Sequence, residues 1–254
     1  MLREGPAAGA HAARTHPVRW LFSYAGTLLY KQGRFEYQMS KLRRIAQTKS
    51  NQDSRSQNRL AMERLIFFSD AVFAIAITIL VLDIRLPASA GAADSRELFL
   101  SLVTLWPKYL AYLISFWAIG LSWISHHRKF LYIQRVDYQL LIMNLIMLMM
   151  IAFIPFPTAI MSENVSFTAT AFYAFTMVLA SLSGLVLWWH ATRNHRLVDP
   201  DLDRHSIRGE ALLPLATIAI FTLSIGVAVL DAGLARICWV LVFPVAFFLR
   251  RRAV

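Results

Sequence analysis

Charge is what this chain has least of for its size. Asp, Glu, Lys and Arg together make up 16% of its 254 residues, where soluble domains carry about 25%. Cysteine is down to one, Cys238, so there is no intrachain disulfide and no cysteine cage for a metal. The sequence contains no G-x-x-x-x-G-K-[ST] loop and no G-x-S-x-G elbow, and nothing else marks an enzyme. A T-V-G-Y-G filter loop is missing too. No alternating pattern of about ten residues recurs, as an outer-membrane barrel would require. What remains is apolar: 57% of the residues, with a mean hydropathy of +0.50. That composition specifies an all-α, polytopic membrane protein.

Six stretches are long enough, at roughly 17–25 residues, to cross a hydrocarbon core about 30 Å thick. They run at about Met62–Ile84, Pro107–Ile124, Tyr138–Met161, Thr168–Trp189, Ala211–Leu230 and Leu234–Leu249. A short amphipathic piece, Ser95–Leu105, precedes the second, and Trp106-Pro107 marks its start. Pro155 and Pro157 close the third. Basic residues are distributed with a strict alternation. Residues 1–63 carry 11 Lys and Arg against 4 Asp and Glu. Arg128, Lys129 and Arg135 follow the second stretch, Arg193, Arg196, Arg204 and Arg208 the fourth, and Arg250–Arg252 the sixth. The other connections are poor in base. By the rule that cytoplasmic flanks collect Lys and Arg, both termini are expected in the cytoplasm of a multi-pass cell-membrane protein. The net charge of +11 is therefore topology, and no nucleic-acid partner is expected.

Residues 1–61 form a basic cytoplasmic extension ahead of a six-helix domain at 62–254. Val18–Tyr30 is apolar but short and holds Arg19, so it does not span. The extension reads as poorly ordered or interfacial against anionic lipid, with Ser50–Asn58 a polar linker by composition.

The first stretch begins Glu63-Arg64-Leu65-Ile66-Phe67-Phe68-Ser69-Asp70. Ionisable groups on a membrane helix need partners or water. Arg64 and Asp70, six residues apart, do not share a face, so partners must come from other helices. The end of the second stretch, Trp123-Ile124-Ser125-His126-His127-Arg128, lies at matching depth and allows a contact of Asp70 with a histidine or Arg128. The alternative is that Arg64 snorkels to headgroups and Asp70 bonds locally. Ile75, Ile79 and Leu82 fall on one face with Thr78 beside them; such a stripe faces lipid, a neighbouring helix or something functional. His126 and His127 point about 100° apart, a poor metal pair. His190 and His195 extend the charge of a basic connection.

Arg64-x-x-x-Phe68-Ser69-Asp70 resembles the R-x-x-x-F-S-D signature of the transmembrane protein 175 family, the bacterial and lysosomal potassium channels. Trp106–Phe130 and Asn144–Ile160 resemble the family's second and third helices. The resemblance covers roughly residues 62–250. It implies six transmembrane helices per subunit and a homotetramer whose first helices line a central pore. It also implies potassium-selective or potassium-preferring passive conduction, without cofactor or bound metal. Carried over from the Phe-Ser-Asp triplet, Ile75, Ile79 and Leu82 would form an aliphatic constriction or gate, and Thr78 would bear on selectivity. Arg64, Phe68, Ser69 and Asp70, with Trp123, His126 and His127, would tie the pore helix to its neighbours. The partners implied are further copies of the chain and membrane lipids. The alternative function is a proton- or cation-coupled secondary transporter using Asp70. Such sites sit near the membrane midplane on broken helices, whereas the first stretch has no internal Gly or Pro.

Overall fold

Residues 34–86 contain neither glycine nor proline, so nothing in them interrupts a helix once it has started. The computed structural model describes residues 17–86 and 94–251; residues 1–16 of the extension lie outside the described residues. Helix α1 runs Pro17–Ile79 and tightens into a 3-10 turn at Leu80–Asp83. Ser50–Asn58, read as a linker, is helical instead. Its Gln, Arg and Asn residues are polar, but none of them breaks a helix.

The chain divides into two compact units, Met1–Ser56 and Gln57–Val254. Within the first, Ser40, Thr48 and Ser56 turn their hydroxyls onto carbonyls three or four residues back. Phe35, Tyr37, Leu42 and Ile45 are exposed.

The second unit is a helical bundle. After α1 come α2 (Ser95–Thr104), α3 (Trp106–Tyr132), α4 (Tyr138–Phe153), α5 (Pro155–Glu163), α6 (Phe167–Thr192), α7 (Arg204–Leu230), α8 (Ala232–Cys238) and α9 (Val242–Arg251). No named strand occurs among the described residues; a single antiparallel bridge joins Ile133 and Val198. Aspartate or serine caps start α2, α4, α6, α7 and α8, each side chain accepting from an amide two or three residues on. Pro155 does not end the third stretch: the helix breaks at Ile154 and restarts with Pro155 in its first turn, where the missing N–H costs nothing. The last stretch is likewise interrupted, by a 3-10 turn at Trp239–Leu241.

Four described helical stretches are long and apolar enough to cross a membrane. The α2–α3 pair, bent by 47°, would make a fifth, and Ala232–Phe248 is shorter. α6 lies between α4 and α7. The main core joins Phe73 and Ala76 of α1, and Leu80 of the turn that follows, to Ile119, Ile151, Tyr173, Phe221 and Trp239. Tyr173 bonds Ser115, which also meets Thr158, so α3, α5 and α6 share one buried hydroxyl cluster.

A second core, around Leu140, Leu187, Trp188 and Leu197, closes the end where α3 and α6 finish. There Asn194 and His195 adopt positive φ, 56° and 50°, and return the chain so that Leu197 accepts from the amides of Gln134 and Arg135. His190 does not merely add charge to a loop. It lies within α6, buried, with Nε2 3.1 Å from Asp137. Burial pushes the Asp137 carboxyl up, but the Leu140 amide, His190 and the Arg196 guanidinium outweigh it and hold it below its usual value.

A depressed carboxyl contributes stability above its unfolded-state pKa, near 3.9, and loses it as pH falls through the lower folded value. Asp137→Ala should therefore unfold at lower temperature than the parent at neutral pH. A lost cap costs about 0.5–2 kcal/mol, and the gap should close only below about pH 4. Thermal unfolding across pH checks this. No gap at neutral pH would contradict the cap, and a gap already closed at about pH 5 would contradict the depressed carboxyl.

Candidate functional site

On α1 and its final turn, Leu65, Ser69, Phe73, Ala76 and Leu80 are buried. Their spacing of three and four residues makes them one face of the helix. Ser69 is the polar member of that face, and its surroundings satisfy it completely. Its hydroxyl donates to the Leu65 carbonyl at 2.8 Å and accepts from Asn144 Nδ2 of α4 at 2.9 Å. Asn144 Oδ1 lies 3.0 Å from His126 Nε2 of α3. Since Oδ1 can only accept, this network assigns the proton to Nε2. The result is a directed chain, His126 to Asn144 to Ser69 to the Leu65 carbonyl, in which each bond polarises the next. The His126 ring is fixed by Phe130, with centroids 4.3 Å apart, and by Phe73 at 5.5 Å.

Asp70, beside Ser69, takes the indole N–H of Trp123 at 2.8 Å, and Trp123 stacks on His127 at 5.7 Å. Of the partners open to Asp70, it is Trp123, among those the resemblance implied, that bonds it, rather than a histidine or Arg128, the contacts that the spacing allows. Arg128 reaches across to the buried Glu210 of α7, because α3 continues past Ile124 to Tyr132 and holds Arg128, half-buried, against that helix. Lys129, counted with the loop charges, is 3% exposed for the same reason. Arg64 is exposed and meets no carboxylate among the described residues.

The opposite face of α1 is bare. Phe68, Ala71, Ile75, Thr78, Ile79 and Leu82 are all exposed in the single chain, Ile75 by 56% and Leu82 by 60%. The Thr78 hydroxyl donates to the Ile75 carbonyl at 2.9 Å, which leaves the oxygen lone pairs outward as acceptors. The structure therefore joins Ser69 and Asp70 to Trp123, His126 and His127, and leaves Arg64, Phe68 and the Ile75–Leu82 stripe apart from them. Sequence reasoning missed Asn144, the central member. Its signal was there: one amide inside LLIMNLIMLMMIAF, which in an apolar helix demands partners. Among the described residues no cluster of three or more His, Cys, Asp or Glu could hold a metal.

A family model described as the endosomal/lysosomal potassium channel TMEM175 matches residues 64–155, the segment that contains this network. The chain is similar to a potassium channel of Streptomyces collinus, 40% identical over 177 residues, which is 67% of this chain and 84% of that one. A potassium channel of Chamaesiphon minutus is 39% identical over 148 residues, 57% of this chain and 72% of the other. Among solved structures, the lysosomal potassium-selective channel TMEM175 homolog from Chamaesiphon minutus superposes with a TM-score of 0.64 at 31% identity. That match covers 76% of this chain and 98% of that one.

Asn144→Leu would strand the His126 N–H and remove a donor from Ser69. Its cost should be about 1–3 kcal/mol, the usual penalty for an orphaned buried group. Asp70→Asn keeps an oxygen for the indole of Trp123 and should cost less. Thermal unfolding of the purified variants decides the order; Asp70→Asn being the more damaging would contradict the placement of Asn144 at the centre.

Proposed function

The chain belongs to the TMEM175 family, and on that premise we propose that it is a subunit of a potassium-selective channel that conducts passively. Four copies, each with six membrane-crossing segments, assemble around an axis lined by the bare face of α1. Residues 62–254 supply the conducting bundle. Residues 1–61 form the extension ahead of it, and both termini face the cytoplasm of the cell membrane.

The observation that carries this reading is the two-sidedness of α1. One side is consumed by packing and by the Ser69–Asn144–His126 bonds; the other offers Phe68, Ala71, Ile75, Thr78 and Leu82 to something outside the chain. Their spacing of alternating three and four residues is the repeat by which parallel helices meet about a common axis. In a closed cyclic assembly each such residue becomes a ring. Rings of Ile75, Ile79 and Leu82 present no group that could replace an ion's hydration shell, so they constrict and gate by excluding water. Thr78 adds a ring of hydroxyl oxygens at the same level, with its proton turned back into the helix. Arg64, exposed in the single chain, would meet a neighbouring copy. The transporter alternative has less behind it: Asp70 is engaged by Trp123, and α1 has no break near it.

Ile75→Asn tests the assignment. An amide of similar bulk in a pore ring holds water, so the current per folded tetramer should rise. On a lipid-facing surface the same amide is an unpaired polar group in hydrocarbon, which lowers stability without adding current. Bilayer current normalised to assembled protein separates the two, and an unchanged or smaller current in a well-assembled variant would refute the gate.

A further inference from the structure

The second unit contains a partly open cavity of about 50 Å³ between α3, α4, α6, α7 and the stretch from Trp239 to Phe243, and α1 contributes nothing to its lining. Much of the wall is apolar, including Ile114, Ile151, Met177 and Phe221. One end is different. Ser125 and Lys129, a single turn apart on α3, both line it. The Lys129 ammonium reaches the Gly184 carbonyl, and that only at 3.4 Å. The Ser125 hydroxyl is buried without any hydrogen-bond partner. Of the other polar groups on the wall, Ser122 and Thr217 bond carbonyls of their own helices and His126 bonds Asn144, while Ser181 of α6 adds a further hydroxyl. No carboxylate lines the space. Glu210, whose field reaches Lys129, is held by Arg128.

This end thus offers the N–H bonds of an ammonium, which has no acceptor, and a hydroxyl free to donate beside it. A buried charge without a partner is costly. One positive charge calls for one negative charge. At roughly 10–15 Å³ per water-sized occupant, the space holds a small ion and one or two waters. We propose that this cavity is a binding site for a single monovalent anion of halide size, held between Lys129 Nζ and Ser125 Oγ. It is separate from the α1 face, and its occupancy neutralises the buried ammonium of Lys129, which has no carboxylate in contact among the described residues.

The test is thermal unfolding of the purified protein in potassium chloride against potassium gluconate, at equal potassium and ionic strength. Chloride should raise the unfolding temperature saturably, by about 2–4 °C. Ser125→Ala and Lys129→Gln should abolish most of that rise. Lys108→Gln, which removes an exposed ion pair with Glu163 at the other end of α3, should keep it. Should Lys129→Gln fail to fold, Ser125→Ala alone decides. Crystals grown in bromide should give an anomalous peak between the two side chains. No chloride dependence, an equal dependence in Ser125→Ala, or density for water or an elongated lipid headgroup in place of bromide would each overturn the proposal.

Discussion

The rotation of α1 about its own axis is the constraint on which the bundle depends, and Ser69 sets it. A helix that is apolar nearly all round could turn freely against its neighbours at little cost, because lipid tails solvate leucine as well as another helix does. A buried hydroxyl bonded to an amide on α4 cannot turn. Moving α1 by one residue would bring Phe68 or Asp70 against Asn144, losing the bond from its amide N–H to Ser69 and leaving that buried donor unmet. The chain from His126 through Asn144 and Ser69 to the Leu65 carbonyl therefore does more than its individual bonds suggest. It converts a non-directional apolar contact into a single orientation.

Everything on the far side follows from that choice. With Leu65, Phe73, Ala76 and Leu80 turned inward, Ile75, Thr78, Ile79 and Leu82 must turn outward. Asp70, about 140° from Ile75 on the helix, is drawn to the Trp123 indole at the flank. Exposure of aliphatic side chains would by itself say little in a membrane. What gives this face its meaning is its three-and-four spacing, the threonine set among the aliphatics, and membership of a family of ion channels. The charges deeper in the bundle follow a different logic: Arg128 and Glu210 neutralise each other, and Lys129 is left facing a cavity.

The helical, membrane-crossing architecture was readable because long apolar runs and alternating basic flanks report directly on a bilayer. The grouping of Ser69 and Asp70 with Trp123 and His126 came from the family resemblance, since the spacing alone left the partner of Asp70 open. Asn144 was not singled out, although it stands alone in an apolar run, because pairing across three helices leaves no spacing signal in any one of them. Arg128 and Lys129 were misplaced for a related reason. Charge counting assigns every Lys and Arg near a helix end to the flank, yet α3 carries Lys129 into the interior beside the Gly184 carbonyl and brings Arg128 to the buried Glu210. Composition also misread Ser50–Asn58, whose polar residues fill a helix because glycine and proline are absent.

Recording from the purified protein in a planar bilayer, under opposed gradients of potassium and sodium, bears most directly on the central claim. A pore lined by the outward face of α1 should carry current without any coupled substrate, and its reversal potential should lie close to the potassium equilibrium potential. A reversal potential at zero, or no current from well-assembled protein, would contradict a potassium-selective channel.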